Sequence, residues 1–164
     1  PNQFYFHIRE VHEVSLDPVA PKAAGKSKAK PKRAQQTIGM YPEQFPAIGQ
    51  IAPEELRDVN LVVYHNWDNT RRFLGKIDHD RQSLVASGEG MKPWNPWRRN
   101  STFILENYRA ALDAPGEWFL ARNGTLLYKP RPGEDMTKAT VVAPVVERFL
   151  LVQGDAAAGK LVDT

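Results

Sequence analysis

A chain of 164 residues, 41% hydrophobic and 25% charged, has room for one domain with a real core, and it holds no apolar run long enough to span a membrane. It contains no cysteine, which excludes disulfides, thiolate metal sites and cysteine nucleophiles and leaves the redox compartment open. The net charge of +3 is local in origin: Lys22, Lys26, Lys28, Lys30, Lys32 and Arg33 sit together with no acid among them, and without those six the remainder is −3, so nucleic-acid affinity of the whole domain is not implied.

The chain starts Pro1-Asn2 with no signal sequence, as a processed or excised piece would. Residues 4–14 alternate, with Phe4, Phe6 and Ile8 set against Tyr5, His7 and Arg9, which reads as a strand. Residues 18–36 are rich in Lys, Ala, Pro and Gly and nearly lack large apolar side chains. They read as one long, flexible basic loop, and the block from Lys22 to Arg33 reads as dispensable. Residues 41–45 and 53–59 read as short helical turns, the second with Pro53 at its first position and Glu54 and Glu55 at the positive end of its dipole. Residues 61–64 are a continuous apolar run, expected to form a central, covered strand. Residues 73–77 and 84–87 read as a hairpin around Asp78-His79-Asp80-Arg81, and residues 102–105 as another strand.

Residues 118–129 form a hairpin about Asn123-Gly124, a strong short-range turn signal. A two-residue turn there pairs Phe119 with Tyr128, Leu120 with Leu127 and Ala121 with Leu126. Both faces are then apolar, so cover on both sides is expected, Trp118 included. A last strand is expected over residues 145–152. The fold class is mainly β: a small β-sandwich or distorted barrel with short helical turns, as a single module over 1–164. No internal repeat is visible.

Few motifs carry chemistry. Gly154-Asp155-Ala156-Ala157-Ala158-Gly159-Lys160 matches the first part of a phosphate-binding loop, but Leu161 stands where a Ser or Thr should ligate magnesium, so the stretch reads as a turn. His7, His12, His65 and His79 form no two-histidine helical zinc motif, and Asp78-His79-Asp80 reads as a polar hairpin tip. There is no Gly-x-Ser-x-Gly elbow. Asp58, Asp68, Glu106, Asp113, Glu117, Glu134 and Asp135 could supply a carboxylate pair, but such a pair is recognised by distance in space. Asp113 and Glu117 flank a turn and suit a capping role. No catalytic residue, metal ligand or cofactor is therefore assigned.

Aromatics remain. Trp67 follows the apolar run and opens the polar turn Asp68-Asn69-Thr70-Arg71-Arg72; Trp94 and Trp97 lie in a proline-rich loop with Arg98 and Arg99. Indole faces stack on sugar C–H surfaces while Arg and Asn bond hydroxyls or carboxylates. His65, Trp67, Arg71, Trp94 and Trp97 are accordingly the candidate substrate-binding residues. The competing role for each tryptophan is packing, with Arg71 answering an acid such as Asp68.

The ordered run Ala111-Leu112-Asp113-Ala114-Pro115-Gly116-Glu117-Trp118-Phe119-Leu120, then Asn123-Gly124, Leu127-Tyr128-Lys129-Pro130 and Pro132-Gly133-Glu134-Asp135, resembles a segment of large secreted right-handed parallel β-helix proteins, many of them glycoside hydrolases. The segment is the β module inserted near the start of the helix. Pro1-Asn2 resembles the point where that module begins. Asp58-Val59-Asn60-Leu61-Val62-Val63-Tyr64-His65-Asn66-Trp67-Asp68-Asn69-Thr70-Arg71-Arg72 resembles its central strand and turn. Ala143-Pro144 with residues 149–154 resembles the strand returning to the first coil. The resemblance covers most of the chain and includes no catalytic signature. It implies an accessory module, extracellular or periplasmic, packed on a β-helix domain of the same polypeptide that carries the catalytic carboxylates. The alternative is an independent polysaccharide- or polyanion-binding module. Neither nucleic acid nor membrane is expected as a partner.

Overall fold

The computed structural model describes residues 5–18, 30–150, 152–155 and 157–159. The chain divides into two units, Pro1–Pro132 and Gly133–Thr164.

The first unit is mainly β, as the patterning implies, and its sheet closes into a barrel. The strands are β1 (Phe6–Ser15), β2 (Ala34–Met40), β3 (Asn60–Tyr64), β4 (Asn69–Asp78), β5 (Ser83–Gly88) and β6 (Thr102–Glu106). Their order around the barrel is β1-β2-β5-β4-β3-β6, and every pairing is antiparallel. The remaining strands, β7 (Trp118–Leu120) and β8 (Leu126–Tyr128), form a separate two-stranded hairpin.

Two long strands make the closure possible. β1 pairs with β6 through Phe6 and His7 and with β2 from Ile8 onward, and its register against β2 slips between Ile8 and Glu10. β4 pairs with β3 as far as Phe73 and with β5 from Leu74 onward, and its register against β5 slips between Leu74 and Lys76. Each slip leaves one extra residue, Arg9 or Gly75. A bulge bends a strand and increases its twist, so β1 and β4 turn the two corners of the barrel. At the β1–β6 seam Phe6 lies opposite Phe103, and their rings stack at 5.5 Å between centroids.

Alternation fills the interior. Phe6 and Ile8 from β1, Ile38 and Met40 from β2, Leu61 and Val63 from β3, Leu74 and Ile77 from β4, Leu84 and Ala86 from β5 and Phe103 from β6 are all buried. Short 3-10 turns at Phe45–Ala47 and Pro53–Asp58 add Phe45 and Leu56 to the core; the second lies where a helical turn is expected, and the first begins only at the last residue of the expected 41–45 turn. β3 lies between β4 and β6 with Leu61, Val62 and Val63 all buried, so it is the central, covered strand that its apolar run suggests.

The long basic loop needs a new boundary. Its last three residues, Ala34, Gln35 and Gln36, belong to β2, flanked by β1 and β5. Composition hides this strand because a central polar position is satisfied rather than apolar: buried Gln36 donates from its amide nitrogen to Glu13 (2.8 Å) and to the Glu89 carbonyl (3.1 Å). Lys30, Pro31, Lys32 and Arg33 are also tied down. Lys30 pairs with Glu89, the Gly90 N–H donates to the Pro31 carbonyl, and the backbone N–H groups of Lys32 and Arg33 donate to Asp17. Residues 19–29 of the expected loop lie outside the described residues.

The β7–β8 hairpin is real, but its register is one residue off the sequence-based pairing: Trp118 faces Tyr128, Phe119 faces Leu127 and Leu120 faces Leu126. The Gly124 N–H donates to the Ala121 carbonyl, the Ala121 N–H to the Thr125 carbonyl, and Gly124 alone in the turn has positive φ, at 84°. That is a type I turn followed by a glycine bulge, which takes one more residue than the two-residue Asn-Gly turn and slips every pair. Only one face is covered. Phe119 is buried, while Trp118, Leu120 and Leu126 are exposed, against the expected cover of Trp118. Glu117 caps the preceding turn by accepting the N–H groups of Asp113 and Ala114.

The second unit contains no strand among its described residues. The expected strand at 145–152 is therefore absent there. A strand needs a neighbour for its backbone groups, and among the described residues no strand pairs with this stretch. Val141, Val142, Val145, Val146, Phe149, Leu150 and Val152 stand exposed, Phe149 at 92%.

Candidate binding cleft

The β3–β4 hairpin turn begins at His65 and ends at Asp68, closed by the His65 N–H donating to the Asp68 carbonyl (3.0 Å). Trp67 lies at the tip of this turn and is 78% exposed, so it is no buried anchor. The His65 ring turns inward, with its side chain only 3% exposed. Its Nε2 is 2.9 Å from Thr70 Oγ1 and its Nδ1 is 2.7 Å from Asp68 Oδ1, the latter off the line of a good hydrogen bond.

Asp68 is the hub. Its second oxygen meets the Lys92 ammonium, and Oδ1 accepts from Asn95 Nδ2 at 2.9 Å. Asn95 is buried in a tight turn that returns to Lys92. The loop 89–97 is thus pinned to the β3–β4 turn by one carboxylate. The Lys92 hydrogen bond, above all, holds the Asp68 carboxyl below its ordinary range, with the charges of His65 and Lys92 and the Asn95 hydrogen bond adding to it and desolvation opposing it.

Between these two loops lies a cleft of about 190 Å³. His65, Asn69 and Thr70 line it on one side, and Glu89, Lys92 and Asn95 on the other. Lys30, Arg71 and Arg72 complete its polar lining. Arg71 answers Glu106 (2.9 Å), not Asp68. Arg72 is partly buried. Its guanidinium donates to the carbonyls of Arg71 (3.0 Å) and Glu89 (3.1 Å), and it lies where a side chain at residue 88 would be, which is why Gly88 is glycine. Burial pulls the Arg72 guanidinium below its ordinary value, and the charges of Glu89 and Glu13 oppose that.

The three loop aromatics separate. Trp97 is 4% exposed and belongs to the core, reaching the cleft only as part of its wall. Its availability as a sugar platform is corrected accordingly, because a stacking face must be open. Trp94 is 64% exposed, beside Lys92, whose ammonium sits 5.2 Å from the ring centroid. Lys30 and Lys92 line both the cleft and the apolar depression at Trp94, so the indole adjoins the cleft. The structure therefore brings His65, Arg71, Trp94 and the wall of Trp97 to one place and leaves Trp67 on the adjoining turn.

Thr70, Arg72, Glu89 and Lys92 are cleft residues that sequence reasoning does not select. The available signal was Lys92 beside Trp94 in a short loop with two prolines. The phosphate-loop resemblance places a turn at residues 157–159, where Asp155 accepts the N–H groups of Ala157 and Ala158; Ala156 and Lys160 lie outside the described residues. Among the described residues no group of three or more His, Asp or Glu side chains could hold a metal, and no helix is long and apolar enough to cross a membrane.

No family model, curated protein or solved structure matches this chain.

Proposed function

We propose that the chain is an accessory β-barrel module of a secreted, carbohydrate-active protein, a glycoside hydrolase whose right-handed parallel β-helix carries the catalytic groups. The observation that carries this reading is the second unit's apolar run. Seven large apolar side chains between Val141 and Val152 face solvent. Successive residues are apolar in Val141-Val142, Val145-Val146 and Phe149-Leu150, so both faces of the run need cover, as a strand buried within a parallel sheet would. A β-helix coil of the same polypeptide supplies such neighbours. The address that goes with this reading is extracellular or periplasmic.

The barrel's contribution would be one wall of a glycan cleft. Trp94 offers an exposed indole, and Asn69 and Thr70 line the adjoining cleft as hydrogen-bonding groups. Two tests apply. The reading frame beyond Thr164 should continue into repeated short β coils. The 164-residue chain should not hydrolyse glycans; turnover that disappears on mutating one of its own carboxylates overturns the proposal. In the intact enzyme, Trp67→Phe and Arg71→Lys should raise KM with little loss of stability if these residues meet substrate.

The second reading, an independent polysaccharide-binding module, is favoured by the cleft itself. It predicts glycan binding by the isolated chain, lost in Trp94→Ala.

A further inference from the structure

The cleft's cations are not equivalent. Lys30 pairs with Glu89, Arg71 with Glu106 and Lys92 with Asp68. Arg72 has no carboxylate within ion-pair reach among the described residues. Its terminal nitrogens meet two carbonyl oxygens, and its Nε is buried without a partner. Glu89 and Glu13 act on it only at longer range.

A guanidinium has five N–H donors and is always charged. Held by carbonyls against the Gly88 backbone, Arg72 is fixed in position, yet its charge lacks an adjacent anion. Carbonyl oxygens satisfy hydrogen bonds but carry no net charge. Among the described residues, four cationic side chains and one carboxylate line this cleft. The contrast with the acidic balance outside the basic segment is direct. An anion entering here would meet a preset donor and would not first have to break an ion pair at Arg72.

We propose that the cleft binds an acidic saccharide, with Arg72 as the counter-ion of the sugar's carboxylate or sulfate and Trp94 as the adjoining stacking face for the ring. This rests on the reading of the cleft as a glycan wall and adds the charge of the ligand. Asn69 and Thr70 line the same space and supply groups for sugar hydroxyls. Lys92 holds the Asp68 hub and serves the site by fixing the loop.

The test is calorimetric titration of the 164-residue chain with trigalacturonate, a sulfated heparin-derived tetrasaccharide and neutral maltotriose. The two acidic arms separate carboxylate from sulfate as the anion. Binding of at least one acidic ligand, stronger than maltotriose and weakened by salt, is expected. Arg72→Gln should weaken it about tenfold or more, since a charge-assisted hydrogen-bonded pair is lost. Trp94→Ala, an exposed position, should weaken it without affecting the fold. Should Arg72→Gln fail to fold, the Arg72 Nε–H resonance of the unmutated chain serves instead, and it must move with the acidic ligand. If maltotriose binds as well as the acidic sugars and depends on Trp94, the glycan wall stands and the acidic specificity is overturned. If no saccharide binds, the isolated chain lacks the site and both statements fall. Acidic binding that leaves the Arg72 resonance and the Arg72→Gln affinity unchanged overturns the role of Arg72.

Discussion

Asn107 treats Leu120 as a strand neighbour would. Its Oδ1 accepts the Leu120 N–H at 3.0 Å and its Nδ2 donates to the Leu120 carbonyl at 3.1 Å. The same Nδ2 reaches the Asp58 carbonyl at 3.0 Å, and Arg122, from the hairpin turn, pairs with the Asp58 carboxylate. One side chain therefore ties the β7–β8 hairpin to the end of β6. Asn suits the place twice, because residue 107 has φ of 55° and Asn tolerates that left-handed region better than most residues.

Asn107→Ala should therefore cost about 2–3 kcal/mol: three hydrogen bonds lost and a left-handed backbone given a residue that resists it. Asn107→Gly should lose the bonds but not the backbone fit, and so cost less. Urea denaturation of both variants measures the difference, and equal midpoints would dismiss the backbone contribution.

Asp68 makes the barrel sensitive to acid. Its folded-state pKa lies below the ordinary aspartate value, chiefly through the Lys92 hydrogen bond. A carboxyl depressed by folding contributes stability above its unfolded value and loses that contribution as pH falls through the folded one. Melting temperature should thus fall below about pH 4, and Asp68→Asn should flatten part of that fall. Glu89, Asp78 and Glu10 are lowered as well, so the limb should not vanish. Melting curves of the two chains between neutral and strongly acid pH decide it.

Close approach at Gly90 gives a different kind of prediction. A Cβ there would sit 2.3 Å from Pro31 Cδ and 2.8 Å from its nitrogen, a rigid obstacle. At Gly75 the nearest atom is an ordinary 3.6 Å away. Gly90→Ala should destabilise by about 1–3 kcal/mol and Gly75→Ala by far less. Thermal melts of the pair check both the contact and the docking of Pro31.

The basic segment should divide into two parts by deletion. Removing residues 30–33 should lower the melting temperature, because Asp17 loses two backbone donors and Glu89 loses Lys30. Asp17→Ala alone should cost about 1–2 kcal/mol. An unchanged melt on deleting 30–33 would restore the reading of that stretch as free loop.

The exposed run predicts poor behaviour of the isolated chain. Phe149→Ser with Val145→Ser should reduce aggregation and dye binding by exposed apolar surface while the barrel melts as before. Light scattering and a melting curve, taken together, test this.

Much of the barrel was legible because alternation and turn chemistry agree with the tertiary fold. β3 is announced by a continuous apolar run, and the β4–β5 hairpin by its polar tip. β2 was half hidden, since Gln36 is buried through hydrogen bonds that involve β1 and the 89–91 loop, which no local window contains. The β7–β8 register slipped because Asn123-Gly124 supports two turn types, and only the backbone decides between them. For the cleft, His65 and Trp94 could be chosen by type. Arg72 could not: its importance comes from what its neighbours lack. Trp97 looked equivalent to Trp94 in sequence, and the fold buried one and exposed the other.

The seam of the barrel has a consequence for how the chain is made. Among the described residues β1 and β6 pair as strands through Phe6 with Phe103 and His7 with Thr102, and Ile8 exchanges backbone hydrogen bonds with Asn100 and Ser101 just before β6. β1 emerges from the ribosome first, and its closing partner is the last strand of the barrel to be synthesised. Until then β1 has β2 on one side and an open edge with Phe6 on the other. Closure is a late, non-local event that pays its loop entropy before the Phe6–Phe103 stack rewards it. Nascent chains halted before β6 should accordingly be the ones that chaperones hold and that associate edge to edge.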